Sequence, residues 1–280
     1  MRSTLIFFVT LLSLSVARAA KVDTRQIPSE SMGKTIPALV ITPDSYAQAS
    51  TRYPVVYLLH GKSGAYGHWG GAAPLRELAD RYQLMIVCPD GGKDSWYFDS
   101  PINPACRYET HVAKEVVQYV DKNYRTIAEP RGRAITGQSM GGHGALLLAM
   151  RHRDVFGAAG SMSGVLDIRL FEKNPQLGPS LVQWIGSIDE FPDRWNELSV
   201  MENLRSLKDK DLSIMIECGT DDGFLKVNQA AHQLLLKDGV EHEYLENPGR
   251  HDWTYWKSAI PDQLAFFHAF FAKSKAAPTL

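Results

Sequence analysis

The feature that most constrains this chain is a G-x-S-x-G pentapeptide over residues 137–141, with Ser139 at its centre. A short β-compatible segment, 133–136, leads into it, and the strong helix formers of 145–150 follow it. A strand that turns sharply at a serine and leaves as a helix exposes the serine hydroxyl. The flanking glycines suit such a turn because neighbouring chain packs too closely for a Cβ. The pattern therefore predicts a nucleophile elbow.

A serine hydroxyl needs a base within hydrogen-bond reach, and the base needs a group that holds its tautomer. In chains with this elbow, the acid and then the histidine follow the serine. Asp222 is the predicted acid because it follows a buried strand at the carboxyl edge of the sheet, and Asp221 is the alternative. His251 is the predicted base, since it lies in the loop between the last strand and the last helix.

The negative charge that forms during attack by a serine requires two preorganised N–H donors. We assign one to the amide of Met140, the residue after the nucleophile. The second should come from the loop over 60–64, where the amide of Lys62 is preferred to that of Gly61.

Strands and helices alternate along the chain, which predicts an α/β fold with a mostly parallel sheet covered by helices on both faces. The predicted strands are 21–27, 34–42, 53–59, 84–88, 133–136, 156–163, 212–218 and 241–246. The predicted helices are 74–82, 110–124, the elbow helix, 227–237 and 253–275, the last interrupted at Pro261. Residues 165–205 have no strong period, and we expect short helices over the top of the sheet.

Aromatic residues crowd the predicted active-site edge. Trp96 lies in the loop over 93–108, and Trp253 follows the predicted base. Both are candidate substrate-binding residues, which would offer a stacking surface to a sugar or an aromatic acyl group. The alternative is that these aromatic residues pack the loops against the sheet.

The first twenty residues have the pattern of a secretory signal peptide. Arg2 precedes an apolar run over 5–16, and Ala17-Arg18-Ala19 supplies a small-x-small cleavage pattern with Ala20 as the first mature residue. The protein is therefore predicted to be secreted or periplasmic. We bound the signal peptide at 1–20 and the single domain at 21–280, one residue beyond the predicted cleavage point. A retained anchor is the alternative, although the run is short for a membrane span.

Composition excludes several classes of function. Removal of the signal changes the formal net charge from −1 to −3, and no basic cluster is present, so nucleic acid is not an expected partner. No metal-ligand motif and no dinucleotide fingerprint occurs, and no cofactor is expected.

The three cysteines leave at least one thiol without an intramolecular disulfide partner. Cys88 and Cys218 end predicted core strands, whereas Cys106 lies in a loop and could pair with one of them.

Together, these motifs resemble the esterase D group of α/β-hydrolases. The group includes S-formylglutathione hydrolases, tributyrin-type esterases, feruloyl and acetyl-xylan esterases, and mycolyltransferases. The resemblance covers roughly residues 34–272 and is carried by Leu59-His60-Gly61, the elbow extended to Ala145, and the segments 219–222 and 249–256. It implies an α/β-hydrolase fold without a large separate lid domain, and it supports the same three triad residues.

One departure from the group is informative. S-formylglutathione hydrolases usually carry Ser-Gly-Leu-Thr-Cys where this chain has His-Gly-Lys-Ser-Gly over 60–64, and they are cytosolic. The His-Gly form looks more like the exported carbohydrate-ester branch. The resemblance therefore implies an exported serine carboxylesterase that acts through an acyl-enzyme on acetyl or feruloyl esters of plant-type carbohydrates.

Three alternatives stay open at this point: an acyltransferase of the mycolyltransferase kind, a short-chain or S-formylglutathione-type esterase, and a non-catalytic carbohydrate-binding relative. The expected partner is a small-molecule or oligosaccharide ester, with no stable insertion into a membrane. Acyl preference and oligomeric state are not encoded in these motifs.

Overall fold

Buried apolar runs form the middle of the sheet. The computed structural model describes residues 20–208 and 212–276, so that the predicted signal peptide, apart from Ala20, lies outside the described residues. The strands are β1 (Lys21–Ser29), β2 (Lys34–Thr42), β3 (Val55–Leu59), β4 (Met85–Pro89), β5 (Arg133–Gly137), β6 (Ala158–Met162), β7 (Ser213–Gly219) and β8 (Glu243–Asn247). Every residue of β3, β4, β5 and β6 is buried, as expected for strands covered on both faces.

The eight strands form one sheet in the order β1-β2-β4-β3-β5-β6-β7-β8. β1 pairs with β2 and β2 with β4 in antiparallel fashion, and every other pairing is parallel. The carboxyl ends of β3, β5, β6, β7 and β8 consequently meet at one edge. The predicted acid, base and nucleophile all follow strands that end there.

Helices cover both faces of this sheet. They are α1 (His68–Ala72), α2 (Leu75–Tyr82), α3 (Tyr108–Thr110), α4 (Val117–Asn123), α5 (Met140–Arg151), α6 (Gly178–Ile185), α7 (Pro192–Leu198), α8 (Val200–Leu204), α9 (Leu225–Lys237) and α10 (Trp253–Ala276). A π-helical segment, His111–Val116, joins α3 to α4, and short 3-10 turns cover Asp44–Ala47, Pro130–Gly132 and Ile168–Phe171.

Two apolar clusters fill the space between sheet and helices. One contains residues of the elbow helix α5, the π-helical segment, α4, α6, α8 and α9, and the other contains residues of α2 and α10. The predicted α/β-hydrolase fold is confirmed by this arrangement. No helix in the described part of the chain is long and apolar enough to cross a membrane.

The last helix differs from its prediction. Pro261 was expected to interrupt it, but α10 runs without a break from Trp253 to Ala276. A proline inside a helix removes one backbone hydrogen bond. Ile260 and Leu264 on either side of it are fully buried against the sheet, and this packing holds the helix together. The prediction of a break at Pro261 is therefore wrong.

The segment over 165–205 is composed of short helices, as predicted. Trp184 on α6 donates its indole N–H to the carbonyl of Asp94 at 2.8 Å, and Ser100 donates its hydroxyl to the carbonyl of Trp184 at 2.6 Å. These bonds attach the segment to the aromatic loop over 93–108.

All three cysteines are free and buried. Burial raises the pKa of the Cys106 and Cys218 thiols to about 12, so neither is a thiolate at neutral pH. Cys106 therefore forms no disulfide bond with Cys88 or Cys218 in the structure.

A buried polar network lies on the α10 face of the sheet. Thr136 on β5 donates to Gln263 Oε1 at 2.7 Å, and Gln263 Nε2 donates to Glu217 Oε1 on β7 at 2.9 Å. All three side chains are inaccessible to solvent. Glu217 Oε2 has no hydrogen-bond partner among the described residues, and burial raises the pKa of this carboxyl from 4.5 to about 8. Glu217 is accordingly neutral near pH 7.

This raised pKa predicts a pH dependence of stability. Because the folded pKa of Glu217 lies above its ordinary value of 4.5, its contribution to stability is complete below about pH 4.5 and is lost as the pH rises through about 8. Between about pH 5 and pH 8.5, we expect the wild type to lose about 2–4 kcal/mol of unfolding free energy relative to Glu217→Gln. Urea titrations at each pH measure this.

The matched control is Glu243→Gln, which removes an exposed glutamate of the edge strand β8. It should follow the pH dependence of the wild type. Parallel stability curves for the wild type and Glu217→Gln would contradict the prediction.

Candidate active site

The backbone of Ser139 has φ 56° and ψ −118°, a conformation that residues other than glycine rarely adopt. The turn around it leaves no room for larger neighbours. A Cβ at Gly137 would lie 2.6 Å from the carbonyl oxygen of Leu59, and one at Gly141 would lie 2.7 Å from that of His60. Helix α5 begins directly after the serine, whose carbonyl accepts the N–H of His143. The predicted strand–turn–helix elbow is present.

A continuous chain of hydrogen bonds runs from the serine to a carboxylate. Ser139 Oγ lies 2.8 Å from His251 Nε2, and His251 Nδ1 lies 2.8 Å from Asp222 Oδ2. Since the carboxylate accepts from Nδ1–H, the remaining lone pair on Nε2 faces the serine hydroxyl. The structure thus brings together the three side chains that the sequence assigned to one site.

The acid loop distinguishes Asp222 from Asp221. Asp222 is buried and Asp221 is exposed, although the amide of Asp221 bonds to the carbonyl of Gly249 in the loop before His251. The second carboxylate oxygen of Asp222 accepts the amide of Phe224 at 2.8 Å. Burial opposes ionisation of Asp222, but the hydrogen bond and charge of His251 outweigh it and lower the pKa. Asp222 is therefore ionised beside the imidazole.

Aromatic rings hold the imidazole of His251 on both sides. The ring of Phe224 lies 4.8 Å from it between centroids and that of Trp256 lies 5.0 Å away, both edge-on. The imidazole side chain keeps 29% of its surface exposed. It is fixed in orientation and still open to solvent on one side, as a group that exchanges protons with substrate or water must be.

Two backbone amides are available beside the serine. Among the residues that the structure describes, neither the N–H of Met140 nor that of Lys62 is the donor in a hydrogen bond. Met140 is the first residue of α5, so its amide has no partner within the helix and lies at the positive end of the helix dipole. The amide of Ser63 is already bonded to the carbonyl of Lys93, and it is not free for an oxyanion.

His60 supports this loop. Its Nδ1–H donates to the carbonyl of Gly61 at 2.9 Å, and its Nε2 accepts the amide of Gly91 at 2.9 Å. Burial lowers the pKa of the imidazole, which keeps the ring neutral and able to accept at Nε2. These two hydrogen bonds brace the loop.

His143 follows the elbow but does not face the serine. Its Nε2 bonds to the carbonyl of Leu198 at 2.9 Å, and its ring packs edge-on against Trp96 and Phe98. Burial lowers the pKa of this imidazole to about 4, so it stays neutral. Its role is to fasten the elbow helix to α7.

An open cleft of about 630 Å³ reaches the serine hydroxyl. Its lining includes four rings, those of His68, Phe224, Trp253 and Trp256, the amide side chains of Asn174 and Gln176, and the loop over 61–64. Leu177, Gln138, Ser139 and His251 complete the lining.

The structure places the two predicted substrate-binding tryptophans differently. Trp253 lines the cleft and packs edge-on against Trp69 and Trp256. Trp96 is fully buried, donates its indole N–H to Ser180 Oγ and has no surface in the cleft. The prediction for Trp96 is therefore wrong, because its loop turns the ring into the core.

Sequence reasoning also missed part of the lining. Phe224 stands two residues after the acid, and Asn174 and Gln176 come from a segment without a periodic pattern. The first could have been found from its distance to Asp222. The other two carried no signal in the sequence, since only the fold brings their loop over the serine.

No group of three or more histidine, cysteine, aspartate or glutamate side chains is arranged to hold a metal ion within 20–208 and 212–276.

Comparison with known proteins places this geometry in a family. Residues 29–267 match the model of the Esterase family, described as "Putative esterase". An esterase of Mycobacterium tuberculosis is 29% identical over 239 residues, which cover 76% of this chain and 51% of that protein. The chain thus spans about half the length of that relative. A diacylglycerol acyltransferase/mycolyltransferase of Mycobacterium gordonae is 27% identical over 279 residues, covering 85% of this chain and 78% of that protein.

Solved structures agree with the fold. A ferulic acid esterase superposes with a TM-score of 0.76 at 28% identity, covering 90% of this chain and 99% of that chain. An S-formylglutathione hydrolase from Agrobacterium tumefaciens superposes with a TM-score of 0.77 at 18% identity, covering 93% of this chain and 99% of that chain. The second likeness concerns the fold alone.

The contrast between Asp222 and Asp221 gives a direct test of the site. In Asp222→Asn, the amide can no longer hold His251 in the tautomer that accepts the serine proton, and labelling of Ser139 by a fluorophosphonate should slow by about 10³-fold or more. Asp221→Asn is the matched control, because the same change occurs one residue away on an exposed side chain. Its labelling rate should stay within about threefold of the wild-type rate. Mass spectrometry of labelled protein over time measures both rates. Equal rates in the two variants would contradict the assignment of Asp222.

Proposed function

This chain belongs to the Esterase family, and on that premise we propose that it is an exported serine carboxylesterase that acts through an acyl-enzyme. The observation that carries the proposal is the unbroken path from Ser139 through His251 to Asp222, with both bonds at 2.8 Å. This is the arrangement that converts a weakly nucleophilic hydroxyl into an attacking group.

In the first half of the reaction, Ser139 Oγ attacks the ester carbonyl while His251 Nε2 accepts the hydroxyl proton. The carbonyl oxygen becomes negative and is stabilised by the amides of Met140 and Lys62. Asp222 stabilises the imidazolium that forms, since its carboxylate is buried against Nδ1–H. His251 then gives the proton to the alcohol oxygen as the C–O bond breaks, which leaves the acyl group on Ser139.

In the second half, water enters from the open side of the cleft. His251 removes a proton from it, hydroxide attacks the acyl carbonyl, and the same two amides stabilise the second oxyanion. Return of the proton to Ser139 Oγ releases the acid and restores the enzyme.

The lining of the cleft supports an aromatic acyl ester or a sugar ester as substrate. The lining combines the rings of Trp253 and Trp256 with the amide donors and acceptors of Asn174 and Gln176. An aromatic ring and a hydroxylated ring can both bind to such a mixed surface. Among the acetyl and feruloyl esters of carbohydrates that the sequence resemblance implied, the likeness to a ferulic acid esterase at 28% identity favours the feruloyl esters.

The charged residues of the cleft lining indicate which charge the substrate should carry. Among the described residues that line the cleft, Lys62 is the one lysine or arginine, and none is aspartate or glutamate. A cationic substrate would therefore meet no carboxylate in the lining. We expect neutral or acidic esters to bind better than positively charged ones.

Export is supported by the sequence of the first twenty residues, with their apolar run and their small-residue cleavage pattern. The mature enzyme would then meet polymeric or extracellular esters, which suits a cleft that is open to solvent.

Acyl transfer is the second candidate, favoured by the 27% identity with a mycolyltransferase over 85% of this chain. The same acyl-enzyme would react with an alcohol in place of water. Product analysis with an added sugar or lipid alcohol distinguishes the two, because transfer yields a new ester and hydrolysis yields the free acid.

Removal of the nucleophile tests the proposed activity. Ser139→Ala should lower kcat for short p-nitrophenyl esters by about 10⁴-fold or more, because no acyl-enzyme can form. Circular dichroism should show that the variant is folded, since alanine adds no atoms at the elbow. Hydrolysis retained in a folded Ser139→Ala protein would refute the assignment.

The tryptophans that line the cleft give a test of substrate class. In Trp253→Ala, the ratio of kcat/KM for methyl ferulate to that for p-nitrophenyl acetate should fall by about tenfold, since stacking on an aromatic acyl group is lost. The control is Tyr119→Ala, which removes a half-buried aromatic side chain of α4 outside the cleft lining and should leave the ratio unchanged. A feruloylated xylo-oligosaccharide in the same panel reports recognition of the sugar. An unchanged ratio in Trp253→Ala would show that this ring does not bind the acyl group.

A further inference from the structure

The residue before β1 is held in place. Ala20 is buried, with 3% of its surface exposed, and packs in the apolar cluster that includes Leu75 and Leu78 of α2. Its backbone nitrogen lies 3.2 Å from Asp80 Oδ2 on the same helix. The backbone nitrogen of Ala20 is thus fixed beside a carboxylate.

Among the described residues, the hydrogen-bond donors to the Asp80 carboxylate are backbone amides. Its other oxygen, Oδ1, accepts the amide of Asp44 at 2.6 Å. Within the part of the chain that the structure describes, no lysine, arginine or histidine side chain forms an ion pair with it. The half-buried carboxylate therefore has amide partners on both oxygens and no cation to balance its charge.

The same nitrogen is the one that signal cleavage would free. Ala17-Arg18-Ala19 precedes it in the pattern that signal peptidases cut. Hydrolysis adds one water across the Ala19–Ala20 peptide bond: the C–N bond breaks, Ala19 keeps a carboxylate, and the nitrogen of Ala20 becomes an ammonium at neutral pH.

We propose that cleavage after Ala19 completes the fold, by turning the amide of Ala20 into an ammonium group that forms an ion pair with Asp80. The inference rests on the proposed export but not on the esterase activity, because neither residue lines the cleft. A charged donor strengthens the bond to the carboxylate. The pair anchors β1, which is one of the two edge strands of the sheet, to helix α2.

The ion pair gives a defined pH dependence. A neighbouring carboxylate raises the pKa of an α-ammonium above its ordinary value of about 7.7–8.0. The stabilisation is then complete below about pH 8 and is lost as the pH rises through the raised pKa. Lys21 and Arg25 on β1 face Asp23 and do not compete for Asp80.

The test is a double-mutant cycle on the mature chain. One protein begins at Ala20, released from a fusion that leaves no extra residue, and a second carries three added glycines that move the ammonium away. Each is made with Asp80 and with Asp80→Asn, and Tm is measured at about pH 6.5 and pH 10. Glu77→Gln is the control, because it removes an exposed carboxylate of the same helix.

At about pH 6.5, we expect the chain that begins at Ala20 to melt about 2–4 °C above the extended chain. The difference should vanish in Asp80→Asn and at about pH 10, and should persist in Glu77→Gln. A difference that survives Asp80→Asn, or no difference in the parent pair, overturns the ion pair.

N-terminal sequencing of protein exported from a bacterial host tests the cleavage site separately. Ala20 at the terminus supports the proposal, and any other terminus overturns it. Hydrolysis of p-nitrophenyl acetate by all variants should be equal, so that loss of the esterase activity would be recognised as a failure of the proposed function.

Discussion

The strained turn at Ser139 is the constraint on which the active-site edge depends. The positive φ of Ser139 belongs to a tight turn. Because Gly137 and Gly141 lack a Cβ, the segment that follows β5 can pack directly against the segment that follows β3. The same turn starts α5, which places the amide of Met140 beside the hydroxyl. One local conformation therefore presents both the serine hydroxyl and the first backbone amide of the helix, and the rest of the site is arranged around it.

The parallel order of β5, β6, β7 and β8 brings the remaining groups to that turn. β7 ends in the loop of Asp222, β8 ends in the loop of His251, and the amide of Asp221 bonds to the carbonyl of Gly249 to tie the two loops together. Below them, the buried chain from Thr136 through Gln263 to Glu217 joins β5, α10 and β7. The carboxyl group of Glu217 is neutral in this network, because a buried carboxylate would lack hydrogen-bond partners for all of its lone pairs.

Sequence patterns predicted the sheet and the triad because both depend on local rules. Continuous apolar runs marked β3 and β4, the glycines marked the turn, and chain order marked Asp222 and His251. Pro261 and Trp96 were misjudged for a common reason. A proline usually ends a helix and a loop tryptophan is often exposed, but here the packing of α10 on the sheet and of the aromatic loop on α5 outweighed those local preferences.

Sequence patterns alone are enough for the fold class and for singling out the serine and the histidine that the structure joins by a hydrogen bond, because strand periodicity and the steric demands of a tight turn depend on neighbouring residues. Three outcomes come from the tertiary structure. Asp222, and not Asp221, forms the hydrogen bond to His251, the ring of Trp96 lies in the core, and Asn174 and Gln176 line the same cleft as the serine. These outcomes depend on contacts between segments that lie tens of residues apart. Such contacts follow from how the whole sheet packs, and no short stretch of sequence contains them.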